Sequence, residues 1–170
     1  MRSDKMKITK ILLIWPANEL KVDMDSRTRW AIESLRFPLG IGYLAAYLEQ
    51  ELEVEVQLLD MVAERPEPEF FGDTMRIGMR NDELEDRIRA FKPDMVGVSQ
   101  MFSYLEPVCE EFFRIAKSVD PNIVTVWGGT HPTTVPEGTL SCPDVDYIVL
   151  GEGEAPLKEL VERLNANQSP

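Results

Sequence analysis

The sequence predicts an α/β fold: a five-stranded parallel sheet with helices packed on both faces. Three observations carry this. Five short apolar runs alternate with stretches whose apolar residues recur at helical spacing. The fourth run, Ile123–Trp127, is β-branched and nearly continuous, as in a strand buried on both faces. The fourth and fifth runs end in glycines, at Gly128-Gly129 and at Gly151-Glu152-Gly153-Glu154, where a backbone turns tightly or is approached closely.

The elements follow in order. Ile11–Trp15 reads as a central strand ended by Pro16. Ala17–Arg36, which carries Trp30, is a long polar stretch without period, expected to be a mobile loop. Pro38 opens a helix with Ile41, Leu44, Ala45 and Leu48 on one face, and Gly40 and Gly42 allow close approach near its start. Val54–Leu59 is the second strand, closed by Asp60. Glu64–Met79 is proline-rich and expected to be an irregular, exposed excursion. Asp82 and Glu85 have capping-box spacing for a helix that buries Leu84, Ile88 and Phe91. Met95–Ser99 is the third strand.

The next helix carries the stripe Leu105, Val108, Cys109, Phe112, Ile115 and Ala116, so Cys109 reads as a small buried hydrophobe. Ile123–Trp127 is the fourth strand. Pro136 and Gly138 limit Pro132–Leu140 to one or two helical turns. Tyr147–Leu150 is the fifth strand, and Pro156 opens a last helix with Leu157, Leu160, Val161 and Leu164 inward. Right-handed crossovers over five strands favour the doubly wound, flavodoxin-like (Rossmann-like) order 2-1-3-4-5. Residues 1–10 form an N-terminal extension, 11–164 the domain, and 165–170 the start of a linker or tail.

Composition narrows the function. A chain of 170 residues with 44% apolar and 28% charged residues is one globular domain with a sizeable core. A net charge of −12 argues against nucleic acid or an anionic membrane as partner. The two cysteines, Cys109 and Cys142, have neither metal-ligand spacing nor a disulfide framework. No apolar run reaches the roughly 20 residues of a membrane span, and Met1–Lys10 lacks the apolar core of a signal peptide. A reducing cytoplasm is the simplest expectation.

Ligands of open parallel sheets bind outside the carboxyl ends of the strands, at the switch point between the first and third. Here that edge gathers Pro16, Ala17, Asn18, Ser99, Gln100, Phe102, Gly128, Gly129, Thr130, His131, Pro132, Gly151, Glu152 and Gly153. Acidic residues and a lysine for a phosphorelay receiver are missing from their places. GxGxxG after the first strand, GxxxxGK[ST], GxSxG and CxxxCxxC are all absent. No nucleophile is paired with a base, so no catalytic centre is expected in this chain alone. What remains is a concave edge of Gly, Ser, Thr and Pro, suited to binding something bulky.

Four segments in order then resemble one family. Phe37-Pro38-Leu39-Gly40-Ile41-Gly42-Tyr43-Leu44-Ala45-Ala46-Tyr47-Leu48 resembles the first helix of the cobalamin-binding domain of class B radical S-adenosylmethionine enzymes. Lys92–Ser99 resembles its third strand, Gly128–Thr133 its GGxHPT loop, and Asp146–Glu154 its fifth strand and GEGE end. The resemblance spans Ile11 to Leu164. It implies that the nucleotide tail of cobalamin threads beside the sheet and the corrin lies across the strand ends. By the family pattern Ser99 hydrogen-bonds the tail, Gly128 and Gly129 leave room for it, and Thr130 and Gly151–Gly153 line its path. The loop after Pro16 faces the underside of the corrin.

The DxHxxG motif of the His-ligated cobalamin enzymes is absent after the first strand, and His131, the one histidine, follows the fourth. The resemblance therefore implies base-off, His-off cobalamin, with no metal ligand from this chain. S-adenosylmethionine and an iron–sulfur cluster would belong to a downstream barrel domain, a partner in cis or in trans. Methyl transfer or related radical chemistry would be the work of that assembly. Two other readings stand beside this one: a flavodoxin-like module for another small molecule or for a protein partner, and a free-standing cobalamin carrier or sensor.

Overall fold

The computed structural model describes residues 7–21 and 38–169. Its main sheet has five parallel strands: β1 (Lys10–Trp15), β3 (Glu55–Asp60), β6 (Met95–Ser99), β7 (Val124–Gly128) and β8 (Tyr147–Ile148). Their spatial order is β3-β1-β6-β7-β8, which is 2-1-3-4-5 for the strands expected from sequence. Helices α1 (Leu39–Glu51) and α7 (Glu154–Asn165) cover one face. Helices α3 (Asn81–Phe91) and α4 (Glu106–Val119) cover the other.

Two cores result, one per face. Alternate strand residues Ile11, Leu13, Met95, Val124 and Val126 meet Ala45, Leu48, Leu157, Leu160 and Val161 of α1 and α7. The opposite set, with Leu12, Ile14, Val96, Val98 and Trp127, meets Leu84, Ile88, Cys109, Phe112 and Phe113. Trp127, Phe112 and Phe113 are fully buried, each removing about 2–3 kcal/mol worth of apolar surface from water. Carboxylates pin the strand starts. Asp94 accepts from Thr9 N (2.8 Å), Thr9 Oγ1 (2.9 Å) and Lys10 N (2.9 Å). Asp146 accepts from Thr125 N (2.8 Å) and from Lys117 Nζ (2.6 Å). Ile8 is fully buried, and its backbone is held at both polar atoms by the Asn165 amide, so packed structure extends into both expected terminal segments.

Several local expectations are corrected. Glu64–Met79 is not an irregular excursion. It follows the short helix α2 (Met61–Glu64) and folds as a hairpin, β4 (Pro68–Phe71) and β5 (Thr74–Ile77). The hairpin joins β2 (Asn18–Lys21) in a three-stranded antiparallel sheet, so the stretch after Pro16 starts as a strand. Met75 and Ile77 are fully buried, and Arg76 ties the sheet to α3 through Met79 O (2.7 Å) and Asn81 Oδ1 (2.8 Å). The prolines misled because Pro68 sits in an edge strand, where a missing N–H costs no ladder bond. The expected mobility of Ala17–Arg36 otherwise falls on residues 22–36, outside the described residues, as does Trp30.

The cap of α3 is Arg80 with Glu83, whose carboxylate accepts from Arg80 N (2.8 Å), and Glu85 instead pairs with Arg89 along the helix. The last helix starts at Glu154, before Pro156. Between β7 and β8 lie two short helices, α5 (Thr130–Thr134) and α6 (Pro136–Leu140), and a 3₁₀ turn at Ser103–Leu105 precedes α4.

Candidate functional site

On the α1/α7 face, the register puts Ile11, Met95 and Val124 in one row across β1, β6 and β7. Leu13, Gly97 and Val126 form the next row, and Ser99 and Gly128 pair at the carboxyl rim. The first row is buried. Above it, side chains run short: Gly97 and Gly128 contribute none. A cavity of about 420 Å³ opens there, between the strand ends and helices α1 and α7. That is within the range of small-ligand sites. Leu13, Val126, Ile41 and Leu157 line its inner part, and Val149 and Leu44 also border it. Ser99, Thr130, Thr133, Glu152 and Glu154 supply its polar side chains. Among the described residues no Lys or Arg lines it.

The glycines differ in what they do. A Cβ on Gly128 would find Val149 no nearer than 3.8 Å, so this position is open toward the cavity. On Gly97 it would stand 2.9 Å from Leu13 Cδ2, the far end of a flexible side chain. Gly129 has φ +104°, and a Cβ there would collide with the Gln100 backbone. Gly129 is thus required by the chain itself. The polar atoms also differ. The Thr133 hydroxyl is committed, donating to Gly129 O (2.9 Å) and accepting from Gly151 N (2.9 Å). The Ser99 hydroxyl, at the rim, has no hydrogen-bond partner among the described residues.

The residues expected from sequence separate into three places. Ser99, Gly128, Gly129, Thr130, Gly151, Glu152 and Gly153 meet at the cavity. Pro16, Ala17, Asn18, Gln100 and Phe102 lie at the β1/β6 switch point outside it. There Ala17 packs against Gly78, Asn18 Oδ1 accepts from Tyr104 Oη (3.3 Å), and Phe102 stacks on Tyr104 with ring centres 5.6 Å apart. Gln100 is fully buried, its Nε2 donating to Phe102 O (2.8 Å). Met101, Phe102 and Tyr104 are exposed and, with Phe102 stacked on Tyr104, make an apolar ledge just past the end of β6.

His131 and Pro132 are the third group, both buried and neither lining the cavity. The His131 ring is 2% exposed, with Nδ1 3.0 Å from Ser103 Oγ and Nε2 3.6 Å from Glu106 Oε1. It also lies against Trp127, ring centres 6.0 Å apart.

Sequence reasoning passed over Gly97, Gly40, Leu13, Val126 and Leu157. A signal for Gly97 was present: it is a lone glycine inside an apolar strand, two residues before Ser99 and hence on the same face. Leu13, Val126 and Leu157 look like any core residue, and only their position beneath the glycines makes them cavity wall. Cys109 is wholly buried, and burial with the nearby Glu110 and Glu106 carboxylates pushes its thiol up. Among the described residues no cluster of His, Cys, Asp and Glu is built to hold a metal ion, and no helix is long and apolar enough to cross a membrane.

Comparison with known proteins bears on this geometry. A family model described as B12 binding domain matches residues 31–161. The cytidylyl-2-hydroxyethylphosphonate methyltransferase of Streptomyces wedmorensis is 33% identical over 172 residues, covering 99% of this chain and 31% of that protein. An uncharacterized methyltransferase of Pyrococcus horikoshii is 34% identical over 161 residues, covering 94% of this chain and 30% of that protein. This chain therefore spans less than a third of the length of these curated relatives. Among solved structures, the cobalamin-dependent S-adenosylmethionine radical enzyme OxsB, with aqua-cobalamin and S-adenosylmethionine bound, shares the fold. Its TM-score is 0.67 at 19% identity, over 96% of this chain and 20% of that one.

Proposed function

This chain belongs to the B12-binding domain family, and from that premise we propose that it holds cobalamin base-off and His-off for a radical S-adenosylmethionine enzyme. The nucleotide tail would enter the cavity beneath α1 and α7, and the corrin would rest on the ledge at the switch point. The observation that carries this reading is the shape and placing of the cavity. It opens at the strand ends, where Gly128 carries no side chain, and reaches along the sheet face to Leu13, Gly97 and Val126. A cavity so placed suits a group entering from the strand ends, and its polar rim over an apolar inner wall fits the tail.

The roles follow from the chemistry of each residue. Ser99, whose hydroxyl at the rim has no partner among the described residues, would hydrogen-bond the tail. Gly128 would leave it room, and Gly151 to Gly153 with Thr130 would border its path. Gly129 would serve by holding the β7 loop against Gln100 rather than by leaving room. Pro16, Ala17, Asn18, Gln100 and Phe102 would form and support the ledge under the corrin. Bound cobalamin supplies a cobalt centre able to carry and release an alkyl group; the chain's own part is to hold, orient and shield it.

Two facts support the absence of a protein ligand to cobalt. The chain has one histidine. Its ring is 2% exposed, with Nδ1 at Ser103 Oγ and Nε2 near Glu106 Oε1. The catalytic barrel, with its cluster and S-adenosylmethionine, would be supplied in cis or in trans, consistent with the small share of each relative that this chain spans. In this scheme residues 11–164 are the binding unit, with Ile8 and Asn165 packed onto it.

The test is reconstitution. Purified chain incubated with hydroxocobalamin and desalted should retain a stoichiometric corrin spectrum. Loss of the corrin on desalting would remove the reading and favour a module for another ligand or partner.

A further inference from the structure

We infer that the cavity is selective for the base at the end of the cobamide tail, accepting a benzimidazole with an apolar outer edge and rejecting a purine. The inference rests on the proposed placement of the tail. It adds a specificity that follows from the two-level construction of the cavity wall.

The levels are set by strand register. At the rim, where Ser99 pairs with Gly128, polar side chains are available. One step inward the row is Leu13, Gly97 and Val126, faced by Ile41 and Leu157. None of these five residues carries a hydrogen-bonding side-chain atom. The strand backbone at that level cannot substitute, because it is engaged in the parallel pairing of β1, β6 and β7. The row beneath, Ile11, Met95 and Val124, is buried and apolar and closes the bottom.

A tail enters with its base leading, since the ribose and phosphate tether it to the corrin outside. The dimethylbenzimidazole of cobalamin presents two methyl groups and aromatic carbon at its leading edge. Adenine, the base of a common alternative cobamide, presents an exocyclic amine and ring nitrogens. In the inner cavity those atoms would give up water and meet no side-chain or strand-backbone partner among the described residues, which is the costly case for a polar group. Sites of this kind discriminate through unpaired polar atoms more strongly than through a missing methyl.

The experiment compares three ligands on the same chain by titration and desalting: hydroxocobalamin, the corresponding adeninyl cobamide, and cobinamide, which has no nucleotide tail. The expected result is retention of cobalamin with the adeninyl cobamide weaker by about tenfold or more. Equal affinity for the two complete cobamides overturns the selectivity while leaving cobalamin binding intact. Failure to retain any of the three overturns the proposed function and this inference with it. Cobinamide bound as tightly as cobalamin removes the tail from the cavity and overturns both the placement and the selectivity. Val126→Thr adds a hydroxyl to the inner row and should narrow the gap between the two cobamides severalfold. Should that variant not fold, the comparison on the unaltered chain decides alone.

Discussion

Gly129 and Gln100 are in backbone contact: a Cβ on Gly129 would lie 2.9 Å from Gln100 N and closer still to its carbonyl oxygen. The contact locks the loop after β7 against the loop after β6. Gln100 N donates to Gly128 O (2.8 Å), and His131 N donates to Gln100 O (3.2 Å). With φ at +104°, Gly129 holds a conformation that other residues adopt only under strain.

Gly129→Ala should therefore destabilise the fold, on the order of 1–3 kcal/mol or more, whether or not a ligand is present. Urea unfolding of the ligand-free chain reads this as a lower midpoint at unchanged slope. An unshifted midpoint would mean that the loop relaxes freely.

Ser99→Leu and Gly128→Leu behave differently. Both positions have ordinary backbone conformations at a strand end and open on the cavity. Each variant should keep its unfolding midpoint within about 1 kcal/mol of the parent, as changes at unstrained, open sites do. Each should lose cobalamin retention at least tenfold, because the added side chain blocks the cavity. Undiminished binding by both variants would put the tail elsewhere.

His131→Ala removes the hydrogen bond to Ser103 and the packing on Trp127, in a site 2% exposed. A loss of about 2–4 kcal/mol in stability is expected from cavity formation and the unpaired hydroxyl. The cobalt(II) form of the reconstituted chain should show no nitrogen superhyperfine splitting in its electron paramagnetic resonance spectrum, with or without His131. Splitting in the parent that vanishes in His131→Ala would make this histidine a ligand.

Cys109 should resist alkylation in the folded chain and react once the chain is unfolded. Desolvation, reinforced by Glu110 and Glu106, holds its thiol protonated well above the usual thiol range. The linkage has a definite sign. Below the ordinary thiol value both states are protonated and the stability is fully present. As pH rises past that value the unfolded thiol ionises while the folded one does not, so stability falls. Cys109→Ala should flatten the alkaline limb of the stability profile, and a limb of unchanged steepness would assign it to other groups.

Much of this could be read along the chain. The five strands, their order and the covering helices follow from apolar runs and helical stripes, because burial on two faces leaves a periodic mark. The carboxyl edge was legible at Ser99, Gly128 and Gly151 because strand ends are marked by small residues. The hairpin at Pro68–Ile77 was not, since its strands are four residues long and one begins with proline.

By itself, then, the sequence determined the doubly wound sheet and the kind of residue found at its edge. Only the tertiary structure decided which residues act together. It separated Gly128, open to the cavity, from its neighbour Gly129, which is bound to its conformation by Gln100. It turned His131 inward to Ser103, and it made Leu13, Gly97 and Val126 one apolar row beneath a polar rim. The physical reason is that strand periodicity is local, whereas the register between parallel strands, and the space left where a side chain is missing, are set by residues more than 25 positions apart.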